Sequence, residues 1–225
     1  MRQAEKKENA MSKYIFTDNE KIPAIITVGE YSSPVFIQQL WEDGEYASFI
    51  RNNGCGHCCA SMALNLCGVN ITPYEEFLLC RKMWGSPDEK NGEYNYQSVS
   101  GISKVMGNFG IKCEYFGVPK GKSRDAAKHI EDSLKDGKLV IFWSHPSEKL
   151  KGNPFSTGEH YVLAFGIEEN GNILIANSSN KITDKGVQTT DIGTVEKALY
   201  EGADPKDFTW GRDDLVSTGG YVVIG

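Results

Sequence analysis

Residues 53–66 read NGCGHCCASMALNL, and this stretch predicts the element around which the chain folds. From Cys55 onward the residues are small or apolar on nearly every side, a pattern typical of a buried helix. Gly68, a residue type that commonly ends helices, follows the run. The stretch therefore predicts a buried central helix that begins at Cys55.

Cys55 is the candidate nucleophile. A cysteine attacks as its thiolate, and the amides and dipole at a helix N-terminus stabilise that anion. Gly54 and Gly56 flank it and leave the backbone bare, so that a substrate chain can approach and the Cys55 amide can point at a developing oxyanion. The alternative is a buried structural thiol, which is a common role of cysteine but fits poorly between two glycines.

His160 is the candidate base. A nucleophilic cysteine requires a base, and an imidazole in that role is held in one tautomer by a third group. Of the four histidines, His160 alone opens a predicted strand after a glycine-containing loop, residues 152–158. Asn177 ends the second strand of a predicted hairpin, residues 161–167 and 173–176, and is placed to orient the imidazole. A lone strand histidine or turn asparagine is more often structural, so the prediction depends on the three residues acting together.

The other segments predict helices first and most of the strands later, the order of an α+β fold. Thr72 to Glu75 is a capping box with proline at the first helical position, which predicts a helix to about Trp84. A polar surface loop is expected over residues 88–96. Periodicity predicts further helices over 100–109, 123–135 and 194–200, and strands over 24–28, 112–118, 139–143, 161–167, 173–176 and 220–224.

Four segments carry a family resemblance. NGCG at 53–56, ASMAL at 60–64, GEHYVL at 158–163 and ILIANS at 173–178 resemble bacterial peptidases related to the double-glycine-leader (bacteriocin-processing) peptidases. Those enzymes belong to the papain-like superfamily. The resemblance covers roughly residues 35–178 and implies an α+β, papain-like fold, in which a helical layer with a central nucleophile-bearing helix packs on an antiparallel sheet.

The resemblance also implies roles for individual residues. Cys55 is the nucleophile, His160 the general base and acid, and Asn177 the orienting residue of a Cys-His-Asn triad. Gln39, or Gln38 if the register differs by one, completes the oxyanion hole with the Cys55 amide. The expected reaction is hydrolysis of a peptide or protein substrate through a thioester acyl-enzyme, with no metal and no cofactor.

Two departures from the family pattern stand out. Many relatives have an aspartate followed by proline where this chain has Asn177-Ser178, although asparagine matches the papain-like enzymes. Relatives commonly carry a proline and a small residue at His57-Cys58, so the pocket beside the nucleophile is expected to differ.

Three alternative functions remain open at this stage. Residues 55–58, CGHC, are identical to the active-site tetrad of protein disulfide isomerases and suggest a thiol-disulfide oxidoreductase that uses Cys55 and Cys58. Neither a preceding strand nor a downstream cis-proline strand supports that interpretation. A zinc site at the same pair has ligand spacing but no second CxxC or HxxxH, and Cys80 and Cys113 stand alone in the sequence. The third alternative is a catalytically silent peptide-binding domain.

Composition excludes several classes of partner. The net charge is −6 over 225 residues, with basic residues scattered among acids, which argues against nucleic acid. No apolar run approaches the roughly 18 residues of a membrane helix, and the N-terminus lacks the apolar core of a signal peptide. We therefore expect a cytoplasmic protein with reduced thiols and no membrane partner. Residues 1–20 are predicted to be a flexible leader, with Met11 as an alternative start, and residues 21–225 a single peptidase domain.

Overall fold

The computed structural model describes residues 12–84, 98–147, 150–183, 185–201 and 219–225. Its helices are a 3-10 turn Gln38–Leu40, α1 Ala47–Asn53, α2 Cys55–Leu66, α3 Pro73–Trp84, α4 Val99–Asn108, α5 Ser123–Lys135 and α6 Ile192–Ala198. Its strands are β1 Lys13–Asn19, β2 Ile22–Val28, β3 Tyr31–Pro34, β4 Cys113–Phe116, β5 Leu139–Ser144, β6 His160–Ile167, β7 Ile173–Ala176, β8 Val187–Thr190 and β9 Tyr221–Ile224. The predicted polar loop 88–96 lies outside the described residues.

The larger sheet has six strands in the order β4-β9-β5-β6-β7-β8, and neighbouring strands are antiparallel throughout. The closing strand β9 inserts between β4 and β5, so the C-terminal segment lies in the middle of one half of the sheet. β6 and β7 form the predicted hairpin, with Leu163 opposite Ala176. The α+β class expected from the order of elements is confirmed.

Helices cover both faces of this sheet. On β5, Leu139 and Ile141 face a core shared with α2 and α4, whereas Val140 and Phe142 face a second core shared with α5 and α6. Side chains alternate between the two faces of a strand, so a strand covered on both faces must be apolar at every position. That double burial explains the uninterrupted apolar run at 139–143.

α2 runs through the larger core. All eleven residues from Gly56 to Leu66 are buried, and the helix contacts β6, β3 and α3. It ends where Gly68 takes a φ of +86°, a left-handed conformation that favours glycine. The capping box of α3 is also present, since the Thr72 amide donates to the Glu75 carboxylate and the Glu75 amide donates back to the Thr72 hydroxyl.

The N-terminal region differs from the predicted flexible leader. Lys13–Asn19 pairs with Ile22–Val28 as the edge of a three-stranded sheet, and the Ser12 hydroxyl donates to the Phe165 carbonyl at 2.8 Å. The side chains of this edge strand are mostly exposed, so no buried apolar pattern marked it in the sequence. Within the described ranges, the longest apolar helices are too short to cross a bilayer.

Candidate active site

The candidate nucleophile lies where α2 meets β6. Cys55 is the first residue of α2 and is half-buried, and no side chain caps the helix. Backbone groups of Tyr161, Gly56 and Cys55 itself lower the pKa of the Cys55 thiol. α2 packs against β6, the strand that His160 begins. Two residues more than 100 positions apart therefore lie on elements that contact each other.

His160 and Asn177 are in direct contact. His160 is the first residue of β6, is 2% exposed, and forms a hydrogen bond from Nε2 to Asn177 Oδ1 at 2.9 Å. Asn177 follows the last residue of β7 and is fully buried, with its backbone amide donating to the Gly186 carbonyl at 2.8 Å. The pairing of β6 with β7 therefore joins the predicted base to its predicted orienting group.

The hydrogen bonds of Asn177 determine which nitrogen of His160 carries a proton. Asn177 Nδ2 donates to the Phe155 carbonyl at 2.8 Å, and Asn177 Oδ1 accepts from the Ser179 amide at 2.9 Å. A carbonyl only accepts and an amide N–H only donates, so the orientation of the Asn177 side chain is unambiguous. His160 Nε2 must then donate to Oδ1, which leaves Nδ1 as the basic nitrogen.

Two supporting residues were missed in the sequence. The carbonyl of Phe155 lies in the 152–158 loop, and Gln188 on β8 accepts from Asn177 Nδ2 through its Oε1 at 3.0 Å. Gln188 Nε2 in turn donates to the Pro154 carbonyl at 3.4 Å. In the sequence, Gln188 is a polar residue that follows Val187 in a short strand-like segment. That pattern is too common to single out Gln188.

Burial shifts the pKa values of Cys55 and His160 in opposite directions. Desolvation raises the pKa of the Cys55 thiol, and the backbone hydrogen bonds at its sulfur oppose that rise. Desolvation also lowers the pKa of His160 to about 4, against a smaller raising effect of the hydrogen bond to Asn177. Burial thus disfavours the charged form of both groups.

The two glutamines proposed for the oxyanion hole have different surroundings. Gln38 is buried at 5% exposure, with its Oε1 accepting from the Ser178 hydroxyl at 3.3 Å and its Nε2 directed at the Arg51 carbonyl at 3.4 Å. Gln39 is half-buried, and its Oε1 accepts from the Asn180 amide at 3.1 Å. Gln38 thus reaches the end of α1, whereas Gln39 faces the loop after β7.

Gly54 has a packing role in addition to the predicted open approach. It is buried between α1 and α2, and a Cβ added there would lie 2.4 Å from the carbonyl oxygen of Ile50. Its φ of −85° is ordinary, so the requirement for glycine comes from space rather than from backbone conformation. This contact lies within the last turn of α1, which Gly54 ends immediately before α2 begins at Cys55.

The other three histidines contact partners other than Asn177. His129 contacts the Tyr221 hydroxyl at 2.8 Å, His145 contacts the Pro146 carbonyl at 2.7 Å, and His57 is buried against Glu76. None of the six cysteines, all of which lie in described ranges, forms a disulfide.

Comparison with known proteins identifies a family. The model of the Peptidase_C39 like family matches residues 34–205, which is more than half of the chain. This match confirms the predicted resemblance and, together with the helices packed on an antiparallel sheet, the predicted papain-like fold. No curated protein matches the chain.

Two solved structures illustrate the likeness. The peptidase domain of Streptococcus ComA, a bi-functional ABC transporter involved in a quorum-sensing pathway, is 11% identical, with 65% of this chain and 85% of that chain covered and a TM-score of 0.42. A putative C39-like peptidase from Bacillus anthracis is 14% identical, with 84% and 93% covered and a TM-score of 0.49.

Proposed function

Because this chain belongs to the Peptidase_C39 like family, we propose that it is a cysteine peptidase in which Cys55, His160 and Asn177 cleave a peptide bond. The observation that carries the proposal is the hydrogen bond between His160 Nε2 and Asn177 Oδ1, with β6, the strand of His160, packed against α2, the helix that Cys55 begins. A base fixed in one tautomer beside a thiol at a helix N-terminus is the arrangement that acyl transfer requires.

The reaction begins from a neutral Cys55 thiol and a neutral His160 imidazole. As the Cys55 sulfur attacks the carbonyl carbon, its proton passes to His160 Nδ1, the nitrogen that Asn177 leaves basic. The imidazolium then protonates the departing amine, and a thioester to Cys55 remains. Water, deprotonated by the same nitrogen, attacks the thioester, and the acid product leaves as the proton returns to sulfur. No metal or cofactor takes part in these steps.

The oxyanion is held by the Cys55 backbone amide and by Gln38 Nε2. Gln38 is better placed than Gln39 to donate to the oxyanion because it is buried. Its amide nitrogen also faces the end of α1, immediately before α2. Ser178 fixes the other end of this side chain by donating to Gln38 Oε1. Donors held in place before the reaction stabilise the developing charge without paying for reorganisation.

Disulfide exchange is a weaker candidate for the same cysteine. Cys58 would be the resolving thiol of the CGHC tetrad, but it is fully buried, and burial together with the neighbouring charges of Cys55 and Glu76 raises its pKa well above the ordinary range. The resolving thiol attacks as its thiolate, so a raised pKa disfavours this step. A buried Cys58 serves the α2 core instead.

A mixed library of synthetic peptides tests the proposal. Wild-type protein is incubated with the library, and new peptide termini are identified by mass spectrometry. We expect cleavage by wild type, none by Cys55→Ala, and undiminished cleavage by Cys67→Ala, which removes another half-buried thiol from the far end of α2.

A second measurement makes the test independent of which peptide is the substrate. A peptidyl acyloxymethyl ketone alkylates nucleophilic thiols, and peptide mapping reports which cysteine reacts. Labelling that favours Cys55 and is lost in His160→Ala would support the proposal. An uncleaved library combined with Cys55 labelling no faster than Cys67 would refute it.

A further inference from the structure

A second group of chemically reactive side chains lies outside the site described above. His57 on α2 and Glu76 and Cys80 on α3 are all buried, at 1%, 1% and 0% exposure. One candidate ligand atom from each of the three lies within 4.8 Å of the other two. Glu76 and Cys80 are one helical turn apart and therefore point from the same face of α3 toward α2.

The carboxylate lies at the centre of this group. One oxygen of Glu76 is hydrogen-bonded to His57 Nδ1, and the other accepts from the Cys80 thiol at 3.2 Å. A buried carboxylate is costly unless charge or hydrogen bonds compensate it. The peptidase reaction proposed above does not use any of these three groups.

The donor set matches a transition-metal ion. An imidazole nitrogen, a carboxylate oxygen and a thiol sulfur are the three ligand types that Zn²⁺ takes in proteins. Mg²⁺ and Ca²⁺ prefer oxygen ligands alone and fit this set poorly. On binding, Cys80 would lose its S–H proton to solvent, and the charges of the dication, the Glu76 carboxylate and the Cys80 thiolate would sum to zero, as a buried site requires.

The surroundings favour such a neutral assembly. The ring of Phe77 packs edge-on against the His57 ring with centroids 5.2 Å apart, and the ring of Phe49 lies 6.0 Å away. These aromatic side chains fix the plane of the imidazole, so the nitrogen donor is held in position before an ion arrives. We propose that His57, Glu76 and Cys80 supply three of the four ligands of a buried Zn²⁺ site that joins α2 to α3.

Such a site would connect the first turn of α2, where Cys55 lies, to a second helix. This role is distinct from the peptidase reaction, which needs no metal. The test is therefore made in a Cys55→Ala background, because a cysteine beside a histidine at the candidate active site is itself able to capture zinc.

The full-length Cys55→Ala protein is expressed in minimal medium with added Zn²⁺, dialysed against a weak chelator, and analysed for metal. We expect about one zinc per chain and a higher thermal midpoint than in protein grown without zinc, because an ion that binds only the folded state stabilises it. Expression with Co²⁺ should add an absorption band of thiolate-to-cobalt charge transfer, which reports directly on Cys80.

Three variants in the same background decide the assignment. Cys80→Ser should lose the charge-transfer band and most of the bound metal, and Glu76→Gln, which keeps the shape of the side chain, should also lose metal. Cys67→Ser is the matched control and should retain both. Metal retained equally by Cys80→Ser and Glu76→Gln, with circular dichroism showing both folded, would overturn the proposal, as would Cys55→Ala protein that holds no zinc.

Discussion

Burial of His160 makes the folding stability of this protein depend on pH. The imidazole is 2% exposed, and desolvation lowers its pKa from 6.5 to about 4. Above about pH 6.5 it is neutral in both the folded and the unfolded chain and contributes no pH dependence. As the pH falls below that value, the unfolded chain takes up the proton first, so unfolding becomes progressively more favourable until the folded-state pKa is reached.

The size of the effect follows from the shift in pKa. One pKa unit corresponds to about 1.4 kcal/mol, so His160 should lower the free energy of unfolding by about 2 kcal/mol at pH 5 and by about 3 kcal/mol at pH 4. His160→Gln removes the titrating group and keeps a side chain able to bond Asn177. The stability of wild type should therefore fall more steeply than that of the variant, by these amounts.

Urea unfolding followed by tryptophan fluorescence at pH 7, 6, 5 and 4 measures both curves. The difference between the two proteins cancels the acid destabilisation that arises from other residues. His145→Gln is the matched control, since it removes an imidazole that is 35% exposed at the surface. Parallel stability curves for wild type and His160→Gln over this range would refute the argument, because they would mean that burial does not depress the His160 pKa.

Three further predictions concern the site. Gln38→Ala should lower kcat by a factor of about 10²–10³, the usual cost of removing one oxyanion donor. Gln39→Ala should leave kcat within a few fold of wild type. Equal losses of kcat in the two variants would contradict the choice of Gln38. Asn177→Asp places a carboxylate against His160 and should raise the pKa of the imidazole, so the acid limb of the pH profile of kcat/KM should move to higher pH. An unmoved acid limb would contradict the pairing of His160 with residue 177. Gly54→Ala should cost about 2 kcal/mol in urea unfolding because its methyl group meets the Ile50 carbonyl, whereas Gly107→Ala, with open space around it, should be neutral or stabilise by up to about 1 kcal/mol. A Gly54→Ala protein as stable as wild type would show that the last turn of α1 can adjust to the methyl group.

Local patterns predicted the elements that carry the site with good accuracy. The helix expected to begin at Cys55 does so, and the helix over 123–135 and the strand over 173–176 have the predicted bounds. Each of these depends on interactions within a few residues, such as caps, turn residues and periodicity. The Cys-His-Asn order could be identified because the resemblance and the hairpin pattern agreed.

Other features depended on contacts between distant segments. The choice between Gln38 and Gln39 is a one-residue difference in a short irregular segment, and only the packing of that segment against Ser178 and α1 separates them. Cys80 stood alone in the sequence, yet α3 places it beside Glu76 and His57. The i, i+4 spacing of Glu76 and Cys80 is local, but neither the approach of His57 to them nor the choice between the two glutamines is encoded in a local pattern.

The sequence by itself determined the central helix, the order of helices and strands, and three residue types suited to acyl transfer. The tertiary structure alone decided that His160 Nε2 donates to Asn177, that the neutral imidazole keeps its lone pair on Nδ1, and that burial depresses the His160 pKa. The physical reason is the distance along the chain over which each interaction acts. Capping and periodicity act over a few residues, whereas a tautomer and a pKa are set by every group packed around the side chain, whatever its distance along the chain.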